Sequence, residues 1–279
     1  MAVSDEVSAT TPARSGTNSQ VTQLSLPKLI IMMGRLGLVL FASLSAAASA
    51  LATSASQYRL RYFDIKGAAE TSRILFALGG EEYNDDRFAI DQATFSSPTF
   101  QEAKDSGELK MNLNKAPVLI TPSGVTVGQS KAIERYLARR FGLMGENAED
   151  EAMIDCVAEH CRDVKDAAMR KGFSKFAKGK TDEEKAELRK EWFESDMPTM
   201  LGKIEDVVTE TGSQGYAYGK STSYADVVIW ALLRDCMAAD LEDTTKAAEK
   251  CTALNAIAQQ LAANDGVAKY LKERPESMW

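Results

Sequence analysis

A phenol placed where a strand runs into a helix is the first chemistry this chain offers. Residues 58–63 alternate as a half-buried strand does and end at Tyr62-Phe63, after which Lys66-Gly67 supplies a turn and helical spacing begins at Ala68. That order aims one hydroxyl at whatever lies beside the start of the helix. Further along, Ala116-Pro117 precedes a short apolar strand and Gln129-Ser130 opens a second helix. Helix-start amides with a serine hydroxyl form an anion site, and capping the helix is the other use of the same pair. Tyr62 also reads as a packed strand aromatic, and Tyr58 shares its strand face.

Composition narrows the field of partners. The 279 residues hold two modest domains and carry a net charge of −7. Residues 1–57 contribute three basic and two acidic side chains, so the rest carries −8. An acidic body repels phosphate backbones, which argues against nucleic acid as partner. Four cysteines without a C-x-x-C pair, and the single His160, argue against a disulfide framework or a zinc site, so no metal is expected. Cys156 and Cys161 read as buried small hydrophobes.

Residues 1–57 read as a leader outside the fold. The first 28 are polar without hydrophobic period, which predicts disorder. Between residues 29 and 52 the only charge is Arg35, and an apolar run at 36–41 passes into Ala48-Ser49-Ala50, the pattern of a cleavable signal. Translation from Met32 or Met33 gives that signal its conventional start. A membrane anchor is the rival, weakened by the Ala and Ser content of its second half, and an unprocessed tail is the third reading. Cleavage sends the protein into the secretory pathway, or through it to a plastid, with no stable membrane span in the mature form. A leader without function leaves it cytoplasmic. N-terminal sequencing of the mature chain separates removal from retention.

The elements that must position the phenol follow from the same periodicities. Strand 58–64, helix 68–78 ending at Gly79-Gly80, and strand 83–90 form a β-α-β unit with parallel strands. Strands at 118–121 and 125–127, joined by Thr121-Pro122-Ser123-Gly124 in a type I turn, lead into helix 129–140. This β-α-β, then β-β-α, order predicts a thioredoxin-like α/β domain over residues 58–142. From residue 143 to 279 the pattern is all-helical. Met153, Val157, His160-Cys161, Val164 and Ala168 form one stripe; Phe193, Met200-Leu201, Ile204 and Val208 form another. Residues 180–190 read as a solvated charged helix face, and Ser223-Tyr224-Ala225-Asp226 as a capping box.

Taken in order, residues 58–275 resemble the glutathione transferases, most closely the tyrosine-type, sigma-like class. The resemblance implies that Tyr62 is catalytic and that Ala116, before a cis Pro117, offers its backbone to the cysteinyl part of glutathione. It implies that Gln129 and Ser130 hold the γ-glutamyl carboxylate and that Lys115, Phe100 and Lys104 serve the glycine end, with Lys110 as alternative to Lys104. Asp163 would reach the glutathione of a partner subunit in a homodimer. Glutathione would be the co-substrate, and a small electrophilic acceptor would sit in a cleft between domains, a detoxifying conjugation. Residues 58–150 hold no cysteine, which disfavours cysteine-type enzymes, and Ser72 lies inside the helix. One departure stands out: Ala68 occupies a position that is commonly Arg in the resembled class, with Lys66 as the available substitute. Alternatives are a glutathione-dependent isomerase resembling prostaglandin D synthase, a peroxidase, and a noncatalytic ligand carrier or crystallin-like structural protein, which Ala68 favours.

Overall fold

Alternation along β1 (Tyr58–Phe63) buries Tyr58, Leu60 and Tyr62 and turns Arg59 to solvent. The computed structural model describes residues 57–91, 94–213, 215–236 and 238–277, so the expected leader lies outside the described residues except for its last position. From β1 the chain passes through a tight 3₁₀ turn, Gly67–Ala69, into α1 (Glu70–Gly79) and returns as β2 (Tyr83–Phe88), parallel to β1. The helix proper thus starts later than its apolar spacing suggests. It stops at Gly80, whose φ of 61° lets its N–H reach Phe76 O. A helix absent from the sequence reading, α2 (Pro98–Asp105), follows. Only its Ala103 is buried, so it carries no apolar stripe to announce itself.

The strands β3 (Val118–Ile120) and β4 (Thr126–Gly128) form the expected hairpin, with Gly124 N–H donating to Thr121 O at 2.8 Å. β3 runs antiparallel to β1, giving a four-stranded sheet in the order β2-β1-β3-β4. One face packs against α1 and α3 (Ser130–Arg140) within the main core; the other holds a small core of Phe88, Ala103, Leu109 and Val118.

Helices make up the rest: α4 (Ala148–Lys171), α5 (Asp182–Glu191), α6 (Met197–Thr211), α7 (Tyr224–Arg234), α8 (Leu241–Ala247), α9 (Thr252–Ala262) and α10 (Asp265–Glu273). Every residue of α7 from Tyr224 through Leu233 is buried, as an all-round apolar helix requires. Its start is held by the expected capping box: Asp226 accepts from Ser223 N–H and Oγ and, through its other oxygen, from Ala217 N–H. The buried line of α4 is Ile154, Val157, Ala158, Cys161 and Val164. Cys156 departs from expectation: it is exposed, with Sγ 3.4 Å from His160 Nε2. No residue of α5 is buried, so the charge run is solvated. A π-helical turn, Trp192–Asp196, joins α5 to α6 and buries Trp192. Among the described residues no helix is long and apolar enough to cross a membrane.

Buried charge ties the sheet domain to the last helix. Arg73, fully buried on α1, donates to Ile65 O at 2.8 Å and Lys66 O at 3.2 Å, and pairs with Asp85 on β2. Arg73 also pairs with Glu70, which in turn accepts from Tyr270 Oη at 2.8 Å and Arg274 at 2.6 Å. One carboxylate therefore serves two guanidiniums from opposite ends of the fold. Replacing it would strand one fully buried and one partly buried guanidinium, which is far costlier than the pair itself is worth. Glu70→Gln is expected to lower unfolding free energy by about 3 kcal/mol, read from urea denaturation. A loss under about 0.5 kcal/mol would show that the contacts carry no weight.

Candidate functional site

Tyr62 ends the inward-facing row of β1 and is only 9% exposed. Its hydroxyl oxygen accepts a hydrogen bond from the backbone N–H of Ala68 at 3.1 Å. The phenol proton is thereby left to be donated elsewhere. Two features of Gly67 permit this contact: its φ is +46°, and a Cβ there would stand 2.8 Å from the Tyr62 hydroxyl. The missing side chain at Ala68 is thus accompanied by a backbone donor that orients the phenol. Lys66 does not fill the place of an arginine, because its ammonium lies 3.6 Å from Asp235, a carboxylate also 3.3 Å from Arg274.

The second half of the site is organised by a residue the sequence did not single out. Asn112 is buried, and its carboxamide donates to Lys115 O at 3.1 Å and Pro117 O at 2.8 Å while accepting from Gln129 N–H at 2.9 Å. It therefore staples the loop before β3 to the start of α3. Gly128 makes room, since a Cβ there would lie 2.7 Å from that of Asn112. The Ala116-Pro117 bond is cis, as the resemblance implied. Gln129 adopts φ +67° and gives α3 no side-chain cap, so the helix begins at Ser130 with its first amides unclaimed by a capping side chain. An asparagine between Met111 and Leu113 has no local signal of this role; its partners lie up to seventeen residues away.

A cleft of about 680 Å³ opens between these elements and the helices. Gly67, Ala68 and Ser130 line it on the sheet-domain side, with Phe173, Trp192 and Leu232 among its apolar walls. Phe193, presented by the π-helical turn, joins them; such turns recur at functional sites. Cys236 also lines the cleft, but burial pushes its thiol upward and keeps it protonated. Tyr62 is joined to the cleft through Ala68, which lines it, and is not itself a lining residue; Tyr58 instead has its hydroxyl 3.3 Å from that of Tyr136, whose phenol is pushed up to about 12 by burial first and by this contact next.

The remaining candidates are not gathered here. Phe100 packs into the smaller core, 4.7 Å from the Phe63 ring and 5.5 Å from Phe88, with the Lys104 ammonium 5.6 Å from its centroid. Lys115 and Lys110 are exposed on the loop held by Asn112. Asp163 is exposed on α4 and lines a separate groove with His160, Met200 and Ile204.

Comparison with known proteins gives a consistent outcome. The family described as "Glutathione S-transferase, C-terminal domain" matches residues 167–274. "Glutathione S-transferase 3" of Caenorhabditis elegans is 30% identical over 79% of this chain and 98% of its own length. "S-crystallin SL11" of Nototodarus sloanii is 27% identical over 78% of this chain and 97% of its length. Among solved structures, a glutathione S-transferase from the hookworm Necator americanus, described as monomeric, superposes with a TM-score of 0.65 at 26% identity, covering 80% of this chain and all of the other.

The Gly67 constraint is directly testable. Gly67→Ala is expected to cost about 1–2 kcal/mol in urea unfolding, from positive φ and from contact with the phenol. A crystal structure of the variant should show the Tyr62 hydroxyl moved off the Ala68 N–H; an unmoved hydroxyl at unchanged stability refutes the constraint.

Proposed function

Because this chain belongs to the glutathione S-transferase family, we propose that it is a sigma-like transferase in which the Tyr62 hydroxyl stabilises the glutathione thiolate for attack on a small electrophile. The observation that carries this reading is the Ala68 N–H donated to the Tyr62 oxygen, which leaves the phenol proton for an anion. Bringing a thiol from about 8.5 to about 6.5 requires about 2.7 kcal/mol of selective stabilisation of the anion. A hydrogen bond to a charged group supplies about 1.5–3 kcal/mol, and a helix N-terminus about 0.3–1. One oriented phenol beside a helix start is thus sufficient.

The residues present suit glutathione as co-substrate. Ser130 and the amides opening α3 would hold the γ-glutamyl carboxylate, with Gln129 beside them. Ala116, before cis Pro117, would pair through its backbone with the cysteinyl part. Lys115, Lys104 and Phe100 remain candidates for the glycine end, Lys115 being the one with an exposed side chain on the stapled loop. The cleft's apolar walls would receive the acceptor, and conjugation there would detoxify it. The leader would carry the chain into the secretory pathway.

Ala68, the pairing of Lys66 with Asp235, and the S-crystallin relative favour a second reading, a noncatalytic carrier or structural protein. The two part on thiol ionisation. In the transferase, ultraviolet titration of bound glutathione should place its thiol well below about 8.5, and Tyr62→Phe should raise it by about one to two units. Identical curves for both proteins remove Tyr62 from the mechanism, and an unshifted thiol in the wild type favours the carrier.

A homodimer is part of the same proposal. Met111 and Leu113 stand 62% and 76% exposed on the Asn112 loop, Leu113 at φ +52°, while α4 and α6 present the apolar groove of about 280 Å³ that contains Asp163. Seating that loop in a second copy's groove would cover both and put Asp163 near the other subunit's glutathione. Sedimentation should give twice the chain mass for the wild type and the single-chain mass for Leu113→Glu. A wild type that sediments as a single chain would refute the dimer.

A further inference from the structure

Among the described residues three cations line the cleft, and two are already matched. Lys131 Nζ lies 2.9 Å from Glu134, and Arg162 lies 3.0 Å from Glu159. The third, Lys165 on α4, has no hydrogen bond or ion pair among the described residues. Lys165 is an exposed residue, and the protein around its amine, with Lys131 adding repulsion, holds the ammonium below the usual lysine range. Glu134 and Asp235 pull the other way, but both are committed, Glu134 to Lys131 and Tyr224 Oη, Asp235 to Lys66 and Arg274. Cys161, one turn back on α4, is fully buried and its thiol is pushed up to about 12, so it offers no counter-charge.

An exposed ammonium that no carboxylate pairs with, set beside apolar walls, offers an anionic ligand a charge-assisted contact for which no protein group competes. Ser130 and the start of α3 serve glutathione's own carboxylate at the sheet-domain side, whereas Lys165 stands on the helical wall with Val164 and Ala168. We propose that Lys165 determines acceptor specificity by seating a carboxylate carried by an otherwise apolar electrophile. This rests on the cleft being the acceptor site of a glutathione transferase. A single ammonium, with the neighbouring guanidinium already paired, suits a monoanion better than a phosphate.

The test uses two ligands that mimic conjugated product and differ in one charge: S-(5-carboxypentyl)glutathione and its neutral counterpart S-(5-carbamoylpentyl)glutathione. Titration calorimetry of the full protein should show the acid bound about tenfold more tightly than the amide, the scale of one charge-assisted contact. In Lys165→Met the preference should vanish, and in Lys165→Arg it should persist. Equal affinities in the wild type, or a preference that Lys165→Met leaves intact, overturns the assignment while sparing the glutathione site. Failure of both ligands to bind the wild type overturns the glutathione reading and this inference with it.

Discussion

The fold hangs on a guanidinium that water does not reach. Arg73 holds the carbonyls of Ile65 and Lys66, the residues that carry the chain from the end of β1 to the Gly67 turn. Without that grip the Ala68 N–H would have no fixed position from which to meet Tyr62. Arg73 is in turn held by Asp85 from the neighbouring strand and by Glu70, whose other oxygen reaches Tyr270 and Arg274. A buried ion pair adds little net stability over an apolar filling, but it is exacting about geometry. The same charges that join the last helix to the sheet domain thus fix the loop on which the phenol depends.

A second, uncharged clamp plays the matching role across the site. Asn112 uses its carboxamide to bind the loop before β3 and the backbone entering α3, so the cis Ala116-Pro117 segment and Ser130 are held by one side chain. Gln129, whose N–H donates to Asn112, adopts φ +67° at this junction and leaves the helix without a side-chain cap. Both halves of the site thus follow one design, in which a buried polar residue fixes a loop and the loop presents a backbone group.

Much of this was legible beforehand wherever the signal was local. Period-two alternation located β1, the capping box located α7, and the polar run over residues 180–190 marked a solvated helix. Local reading missed α2, which lacks an apolar stripe, and placed Cys156 inside when it lies on the solvent side of α4. In both cases burial depended on what packed against the helix, which spacing alone does not encode. By residue type Lys66 is the available stand-in for the arginine absent at Ala68, and the structure instead pairs it with Asp235, 169 positions later in the chain.

Turns, caps and amphipathic periods act over a few residues, so the amino-acid order alone carried the succession of elements apart from α2, the change from a mixed sheet to helices, and the residue types of the candidate site. Tertiary structure decided which groups are spoken for: the Ala68 amide by Tyr62, Lys66 by Asp235, Lys131 by Glu134, and Lys165 by no side chain described. Whether a charge or a donor is free to act on a ligand depends on partners brought together across the fold. A linear reading does not rank such long-range pairings, since every lysine carries the same charge until its neighbours are known.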